Sequence, residues 1–442
     1  MTLLYRRLTY ISFIIIFLVV TPLIIAYTAG YRYNFSKGRV QKTGILRITS
    51  VPRGAGIYLN GQAQSRQTPA KIQYLMPGDY EIKLAKEGYL DWQKKLPITE
   101  NNTTFAEKII LWKKSVAEKL NTTTSASSWL ISPDKNIAAF SQMDGSIGII
   151  DVNSGLFGEL SGGSLEIIAQ ITDYNEVKLT SYSPTGRYLI AEGVKSNAKT
   201  YFLIDAFLKK YDKLPIKSYS AVKWDKNSDT LYANDKAGLW QIDVSNLTAK
   251  QILKNITADF YFDGQNLYTF RNSVLSRGTP VNADTNVITT INCDACRIET
   301  IKGNRLYLFN RLSGELRVID LAGKAKTASL KAKSFDFLAD DSALIYNDFE
   351  LAIYNSAKDE PELITRLGQP VTAAAWHPTG RYIFFATEGQ LKVIELDNRE
   401  LRNIITIAEA PANFIQLDRA GNNLYFSSPA DEQAGIYKLA IQ

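Results

Sequence analysis

The chain of 442 residues contains one histidine, His377, two cysteines and three methionines. A single histidine leaves a Ser-His-Asp triad one place to stand and removes any metal site built from clustered imidazoles. Cys293 and Cys296 form a lone C-x-x-C run, and zinc would need two further ligands that no second cysteine pair supplies. The sequence has no Walker loop, no dinucleotide fingerprint between a strand and a helix, no G-x-S-x-G elbow and no D-x-D-x-D-G calcium loop. No nucleophile is accompanied by a base. The chain therefore reads as a non-enzyme, with no catalytic, metal-binding or cofactor-binding residues to assign.

Charge gives a nucleic-acid partner no better foothold. The formal charge is +7, but residues 1–114 hold 17 Lys and Arg against 6 Asp and Glu, so the rest of the chain carries about −4. A mildly acidic body disfavours a phosphate-binding groove. What is plentiful is β-forming: 45% hydrophobic residues, 11% aromatics and 24 tyrosines, with Val, Ile and Thr in short alternating runs. That composition describes a mainly β protein with sizeable cores.

Leu8 to Tyr31, "LTYISFIIIFLVVTPLIIAYTAGY", has no charge and is long enough to cross a ~30 Å hydrocarbon layer as a helix. Pro22 lies within it, which lipid-embedded helices tolerate when a side chain such as Thr21 can satisfy the freed carbonyl. Tyr10, Tyr27, Tyr31 and Tyr33 stand near its ends, as interfacial anchors do. A cleaved signal peptide is the alternative, since "AYTAG" offers small residues, but the apolar core exceeds the usual length of about 7–15 residues. Arg6 and Arg7 argue for a cytoplasmic N-terminus, while Arg32, Lys37, Arg39 and Lys42 pull the other way. We expect residues 1–31 to be a cytoplasmic tip and single transmembrane anchor. Residues 32–43 would be a basic linker that faces lipid headgroups, anionic wall polymers or water. The remainder is expected outside the cytoplasm, because large domains translocate largely regardless of flank charge.

Between Gly44 and Trp112 the pattern becomes short alternating strands separated by turn residues. Asn60-Gly61 is a hairpin signal because both residues tolerate φ > 0. Pro77-Gly78-Asp79 marks a second turn ahead of the strand "YEIKLAKEGY". Pro52-Arg53-Gly54-Ala55, Asn60-Gly61, Thr68-Pro69, Gly78-Asp79-Tyr80 and Gly88-Tyr89 follow in an order and spacing that resembles the PEGA domain family, with Arg53 where the family has Glu. The resemblance, over residues 44–112, implies a small β-sandwich domain at 44–114. It is of a kind found in surface-attached bacterial and archaeal proteins, often beside a membrane anchor, and it brings no catalytic residue.

From residue 115 onward the dominant signal is repetition. "YSPTGRYLIAEG" at Tyr182 and "WHPTGRYIFFATEG" at Trp376 share one body, and looser copies begin at Trp129, Val222, Tyr261, Ile301, Phe335 and Ile415. Their turn residues fall at Ser132, Ser183, Asp225, Asp263, Lys302, Asp340, His377 and Asp418, a period of roughly 40 residues. Each unit reads as three strands and a weaker fourth, which predicts an eight-bladed β-propeller over 115–442, with seven blades as the alternative. The units resemble WD-type and TolB-like propeller repeats, a resemblance that spans many unrelated functions. The last unit ends in "GIYKLAIQ" without a fourth strand, and "SVAEKLNT" at Ser115 is spare. Pairing the two would close the ring and remove two exposed edges.

The repeat also decides how the tempting residues are read. His377 aligns with Ser183 and Ser132, so all three are structural turn residues. The Cys293–Cys296 run lies in a β-rich loop after "VITTIN" and not at a helix start, so a short structural disulfide suited to an oxidising compartment is expected. Asp151, Asp205, Asp243, Asp320 and Asp397 follow apolar strands in register and read as strand-end turn residues.

The sequence points to a membrane-anchored, extracytoplasmic binding or scaffold protein that presents a propeller surface to proteins or cell-envelope polymers. A propeller-class glycan lyase or hydrolase using axial carboxylates and tyrosines is the alternative. A cytoplasm-facing hub is the arrangement expected if the flanking cations set topology.

Overall fold

A computed structural model describes residues 3–34, 38–120, 126–152, 165–215, 221–254, 258–279, 282–293, 295–322, 327–339, 342–355, 358, 360–429 and 434–442. Two compact units emerge: Met1–Lys114 with Asp397–Asn403 and Gln442, and Ser115–Leu396 with Ile404–Ile441.

In the first unit, helix α1 (Leu3–Thr28) is exposed along nearly its whole length. Its 24-residue stretch Tyr5–Thr28 is long and apolar enough to cross a membrane. Gly30 ends it at φ +89°, a left-handed conformation that favours glycine. The Gly30 carbonyl then accepts from Thr43 N (3.0 Å) and Thr43 Oγ1 (2.9 Å), so the chain returns to its own helix end thirteen residues later. Between these points lies an antiparallel hairpin, β1 (Tyr31–Asn34) and β2 (Arg39–Lys42). The stretch expected as a linker thus carries regular structure.

The small sandwich that follows has one sheet ordered Ala70–Leu75, Gly44–Val51, Thr103–Ile110 and another ordered Gln62–Gln67, Gly56–Leu59, Gly78–Ala85, Trp92–Ile98. Trp92–Ile98 alternates strictly between buried and exposed residues, and its Trp92, Leu96 and Ile98 join Leu46, Ile48, Ile57, Ile82 and Leu84 in one core. Asn60 (φ 48°) and Gly61 (φ 79°) make the expected two-residue turn. Three other motif residues, Gly54, Ala55 and Thr68, meet in a hydrogen-bonded knot. Thr68 Oγ1 accepts from Ala55 N (3.0 Å) and pairs with Ser50 Oγ (2.6 Å), while Gly54 N donates to Thr68 O (2.7 Å). The segment Asp397–Asn403 belongs to this unit: Lys94, its side chain fully buried, donates to Asp397 O at 2.6 Å.

The second unit contains eight four-stranded antiparallel sheets among the described residues. Their first strands are Ala126–Ile131, Glu176–Tyr182, Ala221–Trp224, Asp259–Phe262, Arg297–Lys302, Ser334–Ala339, Val371–Trp376 and Phe414–Leu417, one for each repeat read from the sequence. Second strands such as Tyr382–Thr387 are buried at every position, because both faces pack on neighbouring sheets. Apolar clusters span consecutive sheets. One of them joins Tyr425 and Ile436 of the last sheet to Ala126, Phe140 and Ile150 of the first. The last sheet takes its outer strand from Glu118–Lys119, which pairs with Gly435–Ala440 as the spare-strand argument expects.

Candidate functional site

Four of the repeat turns are built on one plan. Ser132, Ser183, His377 and Asp418 each donate their N–H to the carbonyl five residues on, at 2.8–3.0 Å. The residue three positions further along is left-handed in each case: Lys135, Gly186, Gly380 and Gly421, with φ between 59° and 79°. This is a type I turn closed by a left-handed residue, and its exposed amides need an acceptor. The side chain at the first position supplies it. Ser132 Oγ accepts from Ile137 N (2.9 Å), Ser183 Oγ from Tyr188 N (3.1 Å) and Asp418 Oδ2 from Asn423 N (3.1 Å). Asp225 and Asp263 do the same two residues on, accepting from Asn227 N (2.7 Å) and Gln265 N (2.9 Å). The fifth unit differs: Lys302 pairs directly with Arg305 across a two-residue turn at Gly303. Asp340 lies outside the described residues.

His377 fits the same plan. Nδ1 lies 3.3 Å from Thr379 N, which donates to it, and 2.7 Å from Thr379 Oγ1. The proton is thereby left on Nε2, 3.4 Å from Gly421 O. The ring is fully buried, stacks on Phe384 and meets Tyr382 edge-on. Burial holds its pKa down at about 4, against a small upward pull from the Gly421 carbonyl. A neutral ring with both nitrogens engaged is a packing element.

The strand-end aspartates cap backbone amides. Asp205 accepts from Phe207 N (3.0 Å) and Leu208 N (2.9 Å), Asp243 from Ser245 N (2.8 Å), Asp320 from Ala322 N (2.9 Å) and Asp397 from Arg399 N (3.0 Å). Asp151 closes the strand Ser146–Asp151. Cys293 and Cys296 are joined by a disulfide, with Cα atoms 5.7 Å apart, and both are buried beside Ile291 and Ile298. No group of three or more metal-ligating side chains occurs among the described residues.

The sequence did not disclose the ties between inner strands. Lys223 Nζ holds both Asp259 carboxylate oxygens at 2.9 Å and donates to Ile298 O at 2.7 Å, while Ile298 N donates to Asp259 Oδ2 at 2.6 Å. Three consecutive first strands are joined by one ion pair. Asp336, on the sixth first strand, has its carboxyl pushed up by burial, against the pull of Lys135 and Lys302 and of a bond from Phe337 N (2.8 Å).

At the turns between second and third strands, large apolar side chains stand in solvent: Met143 is 78% exposed, Leu312 90% and Phe349 48%. Propeller geometry puts these turns at one end of the ring. Leu312 and Phe349 belong to adjacent sheets, and their turns are pinned alike. Asn310 Oδ1 accepts from Leu312 N (2.9 Å) and Ser313 N (3.1 Å), and Asn347 Oδ1 accepts from Phe349 N and Glu350 N (both 2.9 Å). Ion pairs Arg311–Glu299 (3.2 Å), Lys333–Asp348 (3.2 Å) and Arg366–Glu350 (2.6 Å) stand on the same sheets. An apolar tip held rigid and bordered by charge has the composition of an interface core with a polar rim.

Comparison with known proteins agrees with the architecture. Residues 43–109 match the PEGA domain. No curated protein sequence matches the chain. Among solved structures the chain is similar to the C-terminal WD40 domain of Sif2 (TM-score 0.51, 14% identity, covering 74% of this chain and 99% of that one). It is also similar to Saccharomyces cerevisiae Sqt1 (0.49, 10%, 74% and 99%) and to the β-propeller domain of Myceliophteria thermophila Cps50 (Swd1) (0.46, 14%, 74% and 100%). At such identity the first likeness shows fold alone. The chain thus combines an N-terminal apolar helix, a PEGA domain and a WD40-like β-propeller.

Proposed function

We propose that this protein is a single-pass membrane scaffold: α1 is its anchor, residues 44–114 its stalk, and residues 115–442 an eight-bladed ring held outside the cytoplasm. The ring docks a protein partner at the end that carries Leu312 and Phe349. The observation that carries this reading is the pair of asparagine-pinned turns that display those two side chains on neighbouring sheets, since pre-ordered apolar tips lose little entropy on binding. The buried Cys293–Cys296 bond supports an oxidising compartment.

A photo-crosslinking residue at Leu312 in intact cells tests the docking end, with Phe207, on a third-to-fourth-strand turn, as control. The expected result is a discrete protein adduct from position 312 that Phe349→Asp abolishes and position 207 does not give. Adducts with polysaccharide would instead put an envelope polymer on this end. Protease added to the same cells is expected to reach the ring, and protection would place it in the cytoplasm. Thiol reagents are expected to label the native chain only after reduction.

A further inference from the structure

The register of the β1–β2 hairpin sorts its side chains onto two faces. Arg32 pairs with Gln41 and Asn34 with Arg39, and Tyr31 with Lys42 and Tyr33 with Val40. The first face turns inward. Asn34 and Gln41 are buried, and Gln41 Nε2 reaches Met76 Sδ at 3.7 Å. The Arg32 guanidinium lies over the rings of Tyr27 (3.6 Å) and Tyr74 (4.4 Å). Its Nη1 also donates to Tyr27 O (2.6 Å), in the last turn of α1, and to Tyr31 O (2.8 Å), at the start of β1. The hairpin is therefore fixed to the end of α1 by a cation that suits the helix dipole.

The second face carries Tyr31, Tyr33, Val40 and Lys42. Tyr33 is 49% and Val40 60% exposed, and Lys42 Nζ sits 5.5 Å over the Tyr31 ring. Amphipathic rings beside a long cation suit a headgroup layer, with ring bodies among acyl carbonyls and the ammonium on phosphate. The position agrees. A 24-residue span at 1.5 Å per residue is about 36 Å long, more than the ~30 Å hydrocarbon core, so the helix end and the hairpin fall within the headgroup layer. Arg39, exposed but paired with Asn34 on the first face, lies outside this contact and serves as a control.

We propose that β1–β2 is an interfacial foot whose Tyr31, Tyr33, Val40 and Lys42 face binds the anionic phospholipid headgroups of the membrane that α1 crosses. This rests on α1 being a retained anchor. The test uses the full chain in nanodiscs of phosphatidylcholine alone or with phosphatidylglycerol. A spin label at Val40→Cys reports depth through its collisions with oxygen and with a water-soluble nickel chelate, and Val116→Cys, at a residue 92% exposed in the second unit, is the aqueous reference. The expected result is a label at position 40 shielded from nickel relative to position 116 in anionic discs. Lys42→Gln lowers the ratio of docked to free spectrum about fivefold there, with a smaller effect in neutral discs, whereas Arg39→Gln, on the opposite face, lowers it less. Equal nickel access at 40 and 116, in protein that co-purifies with the discs, overturns the foot and leaves the anchor standing. Failure to enter the discs sinks both.

Discussion

The ring of His377 stands where serine or aspartate stands in sister turns, and its burial carries a pH signature. Its folded pKa of about 4 lies below the ordinary 6.5, so the unfolded chain takes up a proton first as pH falls. The stability it confers is complete above pH 6.5 and is lost progressively down to pH 4, by up to about 3 kcal/mol. His377→Ser keeps a hydroxyl for the turn and removes the titration. In denaturant melts across that window the acid loss is expected to shrink by this amount, while the lost ring lowers stability at neutral pH by about 1–3 kcal/mol. Gly421 offers a companion test: at φ +79°, an added Cβ would lie 2.4 Å from His377 Nε2. Gly421→Ala is expected to cost about 1–3 kcal/mol, and less in the His377→Ser background. Equal losses in both backgrounds would show that the ring is not what the methyl meets. The turn role of His377 was legible from "PTGRY" recurring with serine in its place. Its partner was not, because Gly421 lies in the next sheet and no local pattern joins the two.

At the scale of elements, legibility followed periodicity. Trp92–Ile98 alternates strictly because one face of its sheet packs on a core, so its strand could be read directly. β1 and β2 hold four residues each, too few for alternation to register against the cations among them, and their order comes from a carbonyl at Gly30 that the sequence does not advertise. The tie between Lys223, Asp259 and Ile298 was hidden for a similar reason: its members sit on three strands of three sheets. It also makes a prediction about how the inner strands hold together. Side-chain exposure is 20% for Lys223 and 12% for Asp259, so removing one partner strands a largely buried charge. Lys223→Met is expected to destabilise the second unit by about 3 kcal/mol in chemical denaturation, and adding Asp259→Asn is expected to restore part of that. Additive losses from the two substitutions would show that the pair is not coupled.

For the whole molecule, the question is what closes the ring. The ladder that does so is short: Glu118 faces Lys438 and Lys119 faces Tyr437, extended by Leu120 N donating to Ile436 O at 2.8 Å and by a bond from Ser115 Oγ to Ala440 O. Two register pairs are too few to hold by hydrogen bonds alone, since each contributes only about 1 kcal/mol net. Leu120 supplies the rest by packing against the cluster that joins Trp129 and Phe140 of the first sheet to Tyr425 and Ile436 of the last. Sequence could foresee the spare strand because a final unit without its fourth member leaves an unpaired edge, which folded chains avoid. It could not foresee how small the closing contact is. Leu120→Asp puts a charge into that cluster and should release the strand. Amides of Gly435–Ala440 that face Glu118–Lys119 are then expected to exchange with deuterium on the order of 100-fold faster, as local opening replaces global unfolding as their route. The inner pairing of Asn423–Ser428 with Phe414–Leu417 should keep its protection if face-to-face packing holds the last sheet independently of its edge. Protection lost together across all of these strands would mean that the closing strand and the sheet open as one unit, and unchanged exchange at Gly435–Ala440 would mean that Leu120 does not hold the ring shut.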